Sequence, residues 1–222
     1  MDDSADALAS NAPAPAAEAP PLSLRERQRL RTRRDLVRAT IDVVEAAGLD
    51  AATIDRITQR AGTSRATLYA HFPGGRSELV GEAYRLIGHD LIQAAEHDAA
   101  QQDDWIERMC AYQRAMLALS RRRELSLFYN VTGPRSFGIG KRRGSGSQRT
   151  LDALDLELRA AVERGDVPVE LDTTGVAALL VGAVREAGID ATRDPASAPH
   201  HERAFRQLVR AVAGRPLDEP PR

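Results

Sequence analysis

Between Thr53 and Pro73 the chain is punctuated for two helices, each too short to stand alone. Thr53 can cap a segment whose Ile54, Ile57 and Ala61 share one face. Gly62 then supplies a turn, Ser64 caps a second segment reaching His71, and Pro73-Gly74-Gly75 stops it. Isolated helices shorter than about 12 residues are marginal in water, so this pair has to fold against something longer. Such a partner precedes it. Leu36, Thr40, Val43, Val44 and Ala47 fall at i, i+4, i+7, i+8 and i+11, the stripe of a helix over about 25–47 that Gly48 ends.

The periodicity stays helical downstream. A fourth helix is predicted from about Gly75 to Ala100, with Leu79, Ala83, Leu86, Ile87 and Leu91 inward. Asp104 caps Trp105–Ser120, another helix covers Arg122–Asn130, and helices resume at Gln148–Arg164, Asp172–Ala191 and about Pro199–Ala213. Residues 131–147, with five Gly beside Arg135, Lys141, Arg142 and Arg143, are expected to be a loop. Val167-Pro-Val-Glu-Leu171 comes nearest to a strand, but Pro168 and its brevity reduce it to a connector. The expected fold is therefore all-α, with a three-helix amino-terminal domain over 24–75 and a larger helical domain over 76–213. Segments 1–23 and 214–222 are expected to be flexible tails. The first 22 residues hold eight Ala, four Pro and four acids with no base or aromatic, too little apolar surface to offset ordering entropy.

Composition bounds the function. At roughly 150 residues per domain, 222 residues make one or two domains, and 42% hydrophobic with 28% charged residues is ordinary for globular chains. The single cysteine, Cys110, excludes an internal disulfide and a multi-cysteine metal site. No run nears the ~18 apolar residues of a membrane span, and residues 1–22 lack the basic and apolar regions of a secretory signal. A soluble, cytoplasmic protein with no membrane partner is expected. All 31 basic residues but Lys141 are Arg, a skew that GC-rich codons explain.

The net charge of −1 hides an uneven distribution. From Arg25 to Arg38 seven arginines meet only Glu26 and Asp35. This cluster stands just before a short helix, a three-residue turn and a second short helix, the unit that places one helix in a DNA major groove. Ile54, Ile57, Ala61 and Leu68 can bury the interior angle, and Gly62 tolerates a positive φ at the turn. The outer side of the second helix offers Ser64, Arg65, Thr67, Tyr69 and His71, polar groups suited to base edges and phosphates. The Arg25–Arg34 run reads as a solvated helix face or as a minor-groove arm.

Thr53 to Phe72, TIDRITQRAGTSRATLYAHF, resembles the DNA-binding signature of the TetR family of transcriptional regulators. LVRATIDVVEAAG (Leu36–Gly48) resembles that family's first helix, and Arg76-Ser-Glu-Leu79 the start of its fourth. Thr63 departs from the family's usual Val, Ala66 from a frequent Gly, and Gly75 lengthens the link to the fourth helix. The resemblance implies that Thr53, Tyr69, His71 and Arg76 bind backbone phosphates, while Ser64, Arg65, Ala66 and Thr67 face bases. It implies a homodimer on a palindromic double-stranded operator, paired through the last two long helices. Val176, Leu179, Leu180, Ala183 and Val184, with Phe205, Leu208, Val209 and Val212, are the expected partner face. It also implies an unidentified small-molecule inducer in the carboxy-terminal domain, for which Trp105, Met109, Tyr112, Met116, Phe128 and Tyr129 are the candidate lining. Plain core packing is the alternative for these residues. Release of a repressor by that ligand is the family's common mode, and activation the other.

No catalytic cluster emerges, so no enzyme is expected. Cys110 sits mid-helix beside Met109 without an oxyanion hole. His89 and His97 lie two turns apart, and His200-His201 point about 100° apart, so neither pair suggests a metal site. Gly138-Ile-Gly-Lys141 lacks the upstream Gly of a phosphate loop and has Arg142 where Ser or Thr would bind magnesium. No cofactor is called for. The rivals are an all-helical enzyme sharing this front end, and a ligand-free architectural protein with a filled core around Trp105 and Tyr112.

Overall fold

The computed structural model describes residues 23–136 and 145–214, and every regular element among them is helical. Of the tails expected over 1–23 and 214–222, residues 1–22 and 215–222 lie outside the described residues, as does Gly138–Lys141 with its neighbours. Helix α1 (Leu24–Ala47) opens on a capping box, with Ser23 Oγ accepting from the Glu26 amide and Glu26 accepting from the Ser23 amide, and it ends at Gly48 with φ 79°. Helices α2 (Ile54–Ala61) and α3 (Arg65–His71) cross its buried stripe of Leu36, Val37, Thr40 and Val44. The basic run is therefore part of a helix rather than an extended arm, because the capping box satisfies its first-turn amides.

Helix α4 (Gly75–Ala99) is about 37 Å long. Its first turns belong to the head, where Glu78 and Glu82 each lie 3.6 Å from Arg33 of α1. Its later turns belong to the body, where α4 packs on α5 (Trp105–Ser120) and α8 (Ser145–Glu163). Helix α5 is buried on nearly every side, from Trp105 and Ile106 to Leu119. A helix so enclosed is the axis of its domain, and α8, α9 (Thr173–Arg193) and α10 (Ala198–Val212) surround it. Leu36, Leu68 and Phe72 of the head belong to the same continuous apolar core as Met109, Leu158 and Leu180 of the body.

Two expectations need correction. The helix predicted over Arg122–Asn130 is α6 (Arg123–Leu127) followed by a π-helical turn, Phe128–Thr132. The 131–147 segment is not wholly loop, since α7 (Gly133–Ser136) and the first turn of α8 occupy part of it. Gly133 explains the continuation: a Cβ there would stand 2.7 Å from both the Phe128 carbonyl and the Tyr84 ring, so only glycine closes the wide turn against α4. Helix α6 also reaches the head, where Arg122 donates to both carboxylate oxygens of Glu45 on α1 at 2.7 and 2.8 Å.

Candidate nucleic-acid interface

The α2–α3 angle is built from caps and one buried wedge. Thr53 Oγ1 accepts the Arg56 amide at 3.3 Å, and Ser64 Oγ accepts the Thr67 amide at 3.0 Å. Gly62 ends α2 with φ 64°, a left-handed conformation that a side chain would strain. Ile57 and Leu68 are fully buried between α1, α2 and α3, so the outer face of α3 is fixed by what its inner face covers. That outer face exposes Ser64, Arg65, Ala66 and Tyr69, with Thr67 and His71 half-buried. Tyr69 is 50% exposed, an aromatic ring held at the surface among polar neighbours.

The candidate residues converge. Arg65 pairs with Asp55 and brings the first turn of α3 beside that of α2. Arg76 donates through Nε to the Ala52 carbonyl and through Nη2 to the Leu49 carbonyl, both at 2.7 Å. These bonds set the start of α4 beside Thr53. They also give Arg76 a scaffold task that the sequence alone did not suggest. The extra glycine has a reason as well: Gly75 has φ 61°, and a Cβ on it would lie 3.1 Å from Tyr69 Cε1. Tyr69 is thus seated against the α3–α4 link.

Arg33 is the residue that sequence reading missed. Its Nη1 donates to the His71 carbonyl at 2.7 Å, and its guanidinium stands 4.1 Å from the centre of the Phe72 ring. Arg33 precedes Leu36, Val37, Thr40 and Val44 at helical spacing, so the buried stripe extended one turn backward would have found it. From Leu24 to Arg76 eleven arginines face six carboxylates, against a whole-chain charge of −1, so the head is the basic part of the chain.

Residues 36–83 match the family model for bacterial regulatory proteins of the tetR family. The HTH-type transcriptional regulator SrpR of Pseudomonas putida is 27% identical over 141 residues, and BetI 1 of Chromohalobacter salexigens is 42% identical over 69. These stretches cover 64% and 31% of this chain, and 66% and 34% of the relatives' own lengths, under two thirds of each. The crystal structure of a TetR-family transcriptional regulator from Pectobacterium atrosepticum superposes with a TM-score of 0.70 at 20% identity, covering 84% of this chain and 96% of that one. Over residues 36–83 the head is similar to the tetR family. The fold of a TetR protein, an amino-terminal helix-turn-helix head on a larger helical body, is the fold described above.

In the helical body the expected partner face divides. Leu180, Val184, Phe205 and Val209 turn into the chain's own core, with Leu180 only 1% exposed. Helices α9 and α10 must first bury one face each against α5. What remains outside is Leu179 (77% exposed) and Leu208 (45%), with Val176, Ala183 and Val212 half-buried. A Cβ on Gly182 would meet nothing within 4 Å, so the outer side of α9 is open and low in profile.

All six candidate lining residues are buried, as parts of the continuous core. Tyr129 stacks on Tyr84 of α4 at 5.0 Å between ring centres, and Phe128 meets Tyr84 edge-on at 5.9 Å. The Tyr129 hydroxyl is wedged between Gly88 of α4 and Gly146 of α8, where Cβ atoms would fall 3.1 and 2.5 Å from it. On α5, Trp105 Nε1 and Gln113 Oε1 are buried without a hydrogen-bond partner among the described residues. Cys110 is buried, and that burial, reinforced by nearby Glu107, pushes its thiol up to about 12. Its packing makes it a small hydrophobe rather than a thiolate at neutral pH.

No helix is long and apolar enough to cross a membrane among the described residues.

Proposed function

We propose that the chain is a sequence-specific DNA-binding transcriptional regulator, a homodimeric repressor released from a palindromic operator when a small molecule enters its body. The observation that carries this reading is the outer face of α3. It is polar, exposed and held at a fixed angle by the buried Ile57–Leu68 wedge. In this reading Ser64, Arg65, Ala66 and Thr67 meet base edges, and Thr53, Tyr69, His71 and Arg76 meet phosphates. One such helix reads few base pairs. A two-fold pair through the outer faces of α9 and α10, centred on Leu179 and Leu208, doubles the contacts and imposes an inverted repeat.

The ligand reading is supported by the two unpaired buried polar atoms of α5, Trp105 Nε1 and Gln113 Oε1. Burying such atoms unpaired is costly, and a ligand bearing both an acceptor and a donor would satisfy them. Displacing the Phe128–Tyr129 turn would push on α4 through Tyr84 and on α1 through the Arg122–Glu45 pair. A ligand acts here only through its differential affinity for the two spacings of the heads.

Selection of bound duplexes from a random pool tests the reading. Inverted repeats with half-sites one helical turn, or a multiple of it, apart are expected. Absence of dyad symmetry in the enriched pool, with or without candidate ligands, rejects it.

A further inference from the structure

Helix α3 has seven residues, and among those described Leu68 alone is buried. A helix held by one wedge can rock about it, whereas recognition needs side chains kept within about 10–20° of the productive geometry. A second fixed point is therefore required. The Arg65–Asp55 pair at the first turn is too exposed to supply it. Arg33 supplies it at the last turn. It lies one turn before Leu36 and Val37 on the buried stripe of α1, so its side chain is turned toward α3 and α4. Its Nη1 donates to the His71 carbonyl at 2.7 Å, a helix-end carbonyl with no intrahelical donor. Its guanidinium stands 4.1 Å from the centre of the fully buried Phe72 ring. Its Nη2 lies 3.6 Å from the carboxylates of both Glu78 and Glu82, one turn apart on α4. The other oxygen of Glu78 accepts the Gly74 amide at 3.0 Å, so the α3–α4 link closes around the guanidinium from His71 to Glu78.

We propose that Arg33 is a positioning residue for base recognition. It sets the tilt of α3 by tying the end of that helix to α1 and α4 at once, and so governs how sharply an operator is told from other DNA without touching DNA itself. The proposal rests on the DNA-binding reading above. Arg33 differs from Arg27, Arg31, Arg34 and Arg38 on the same helix, which are exposed while it is half-buried with its nitrogens engaged inside the head. The arrangement also calls for arginine in particular. A planar fork can donate to a carbonyl along one edge, face two carboxylates along another and lie against an aromatic ring. An ammonium, a compact point charge, cannot do all three. The positive charge at the end of α3 further complements the carbonyl end of that helix.

The test uses the full chain, an operator obtained by selection and a random duplex of equal length. Arg33→Ala, Arg33→Lys and Glu78→Gln/Glu82→Gln are measured at a temperature where circular dichroism shows each of them folded. Arg33→Ala is expected to lower the ratio of operator to random binding by about tenfold to a hundredfold, the loss that one mismatched base pair causes. The slope of log K against log salt should stay unchanged on both duplexes, since no phosphate contact is removed. Arg33→Lys should fail to restore the ratio, because it keeps the charge and not the fork. Glu78→Gln/Glu82→Gln should lower the ratio as well, and should add no further loss in an Arg33→Ala background, because the three groups act as one contact. A ratio unchanged in both Arg33 variants overturns the proposal and leaves Arg33 as a stabiliser of the head. A slope made shallower by about one in Arg33→Ala and restored by Arg33→Lys also overturns it, in favour of a phosphate contact. Should Arg33→Ala not fold, Arg33→Lys and the carboxylate pair carry the test, and an undiminished ratio in both overturns the proposal. Failure of the unsubstituted chain to prefer any duplex rejects the DNA-binding reading itself, an outcome distinct from the others.

Discussion

Three residues of the head separate scaffold from recognition. Gly75 combines φ 61° with a Tyr69 ring where a Cβ would go. Gly75→Ala should therefore cost about 1–2 kcal/mol in urea unfolding and weaken DNA binding by displacing Tyr69; an unchanged midpoint would contradict this account. Arg76 holds two carbonyls of the α1–α2 link. Arg76→Ala should cost about 1–2 kcal/mol of stability and make the salt slope of DNA binding shallower by about one. Lost stability with an unaltered slope would leave Arg76 as scaffold alone. Arg65 differs, because its pair with Asp55 is about two-thirds exposed on both sides, where ion pairs contribute little. Arg65→Ala should leave the unfolding midpoint within about 0.5 kcal/mol and relax base preference at one operator position by about 1–3 kcal/mol, measured by competition between point-variant duplexes.

Among the elements, α10 is tied to α5 and α4 by a chain of charge. Glu107 accepts from Arg206 of α10 at 2.7 Å and from Arg114 at 3.0 Å, and Arg114 in turn reaches Asp98 at the end of α4 at 2.8 Å. Burial alone would raise the Glu107 carboxyl, but the guanidiniums of Arg206 and Arg114 outweigh it and hold the group below its ordinary 4.5. A carboxylate depressed in the folded state stabilises the fold above its unfolded pKa, and that contribution fades as pH falls through the lower folded value. Glu107→Gln should thus cost about 2–3 kcal/mol at neutral pH, less than a fully buried pair because both arginines keep some solvent. It should also flatten the loss of stability on acidification below about pH 4.5. Parallel acid-unfolding curves for the two proteins would remove the network from the account.

For the whole molecule, the decisive contrast lies on one helix turn of α9. Leu179 is exposed and Leu180 is core. In the proposed dimer, Leu179→Asp with Leu208→Asp should give a folded monomer in sedimentation velocity, with far-UV dichroism unchanged. Leu180→Asp should instead unfold the body, since it puts a charge where no partner exists. A dimer that survives the outer pair places the interface elsewhere.

The helices, their caps and the Gly62 turn were legible in the chain because they rest on local rules: periodicity, an Ser or Thr oxygen at a helix start, a glycine where φ is positive. The head's turn was legible for the same reason, as the caps Thr53 and Ser64 are fixed by neighbours within a few residues. What the sequence by itself could not decide is which apolar stripe faces inward when a helix carries two. Val184 and Phe205 look as suited to a partner as Leu179 and Leu208, and only the packing of α9 and α10 around α5 separates them. The same holds for Arg33, Arg76 and Gly133, whose partners lie 38, 24 and 49 residues away. A side chain's near neighbours follow from helical geometry, but its distant ones exist only after the chain has closed on itself, so their roles belong to the tertiary structure.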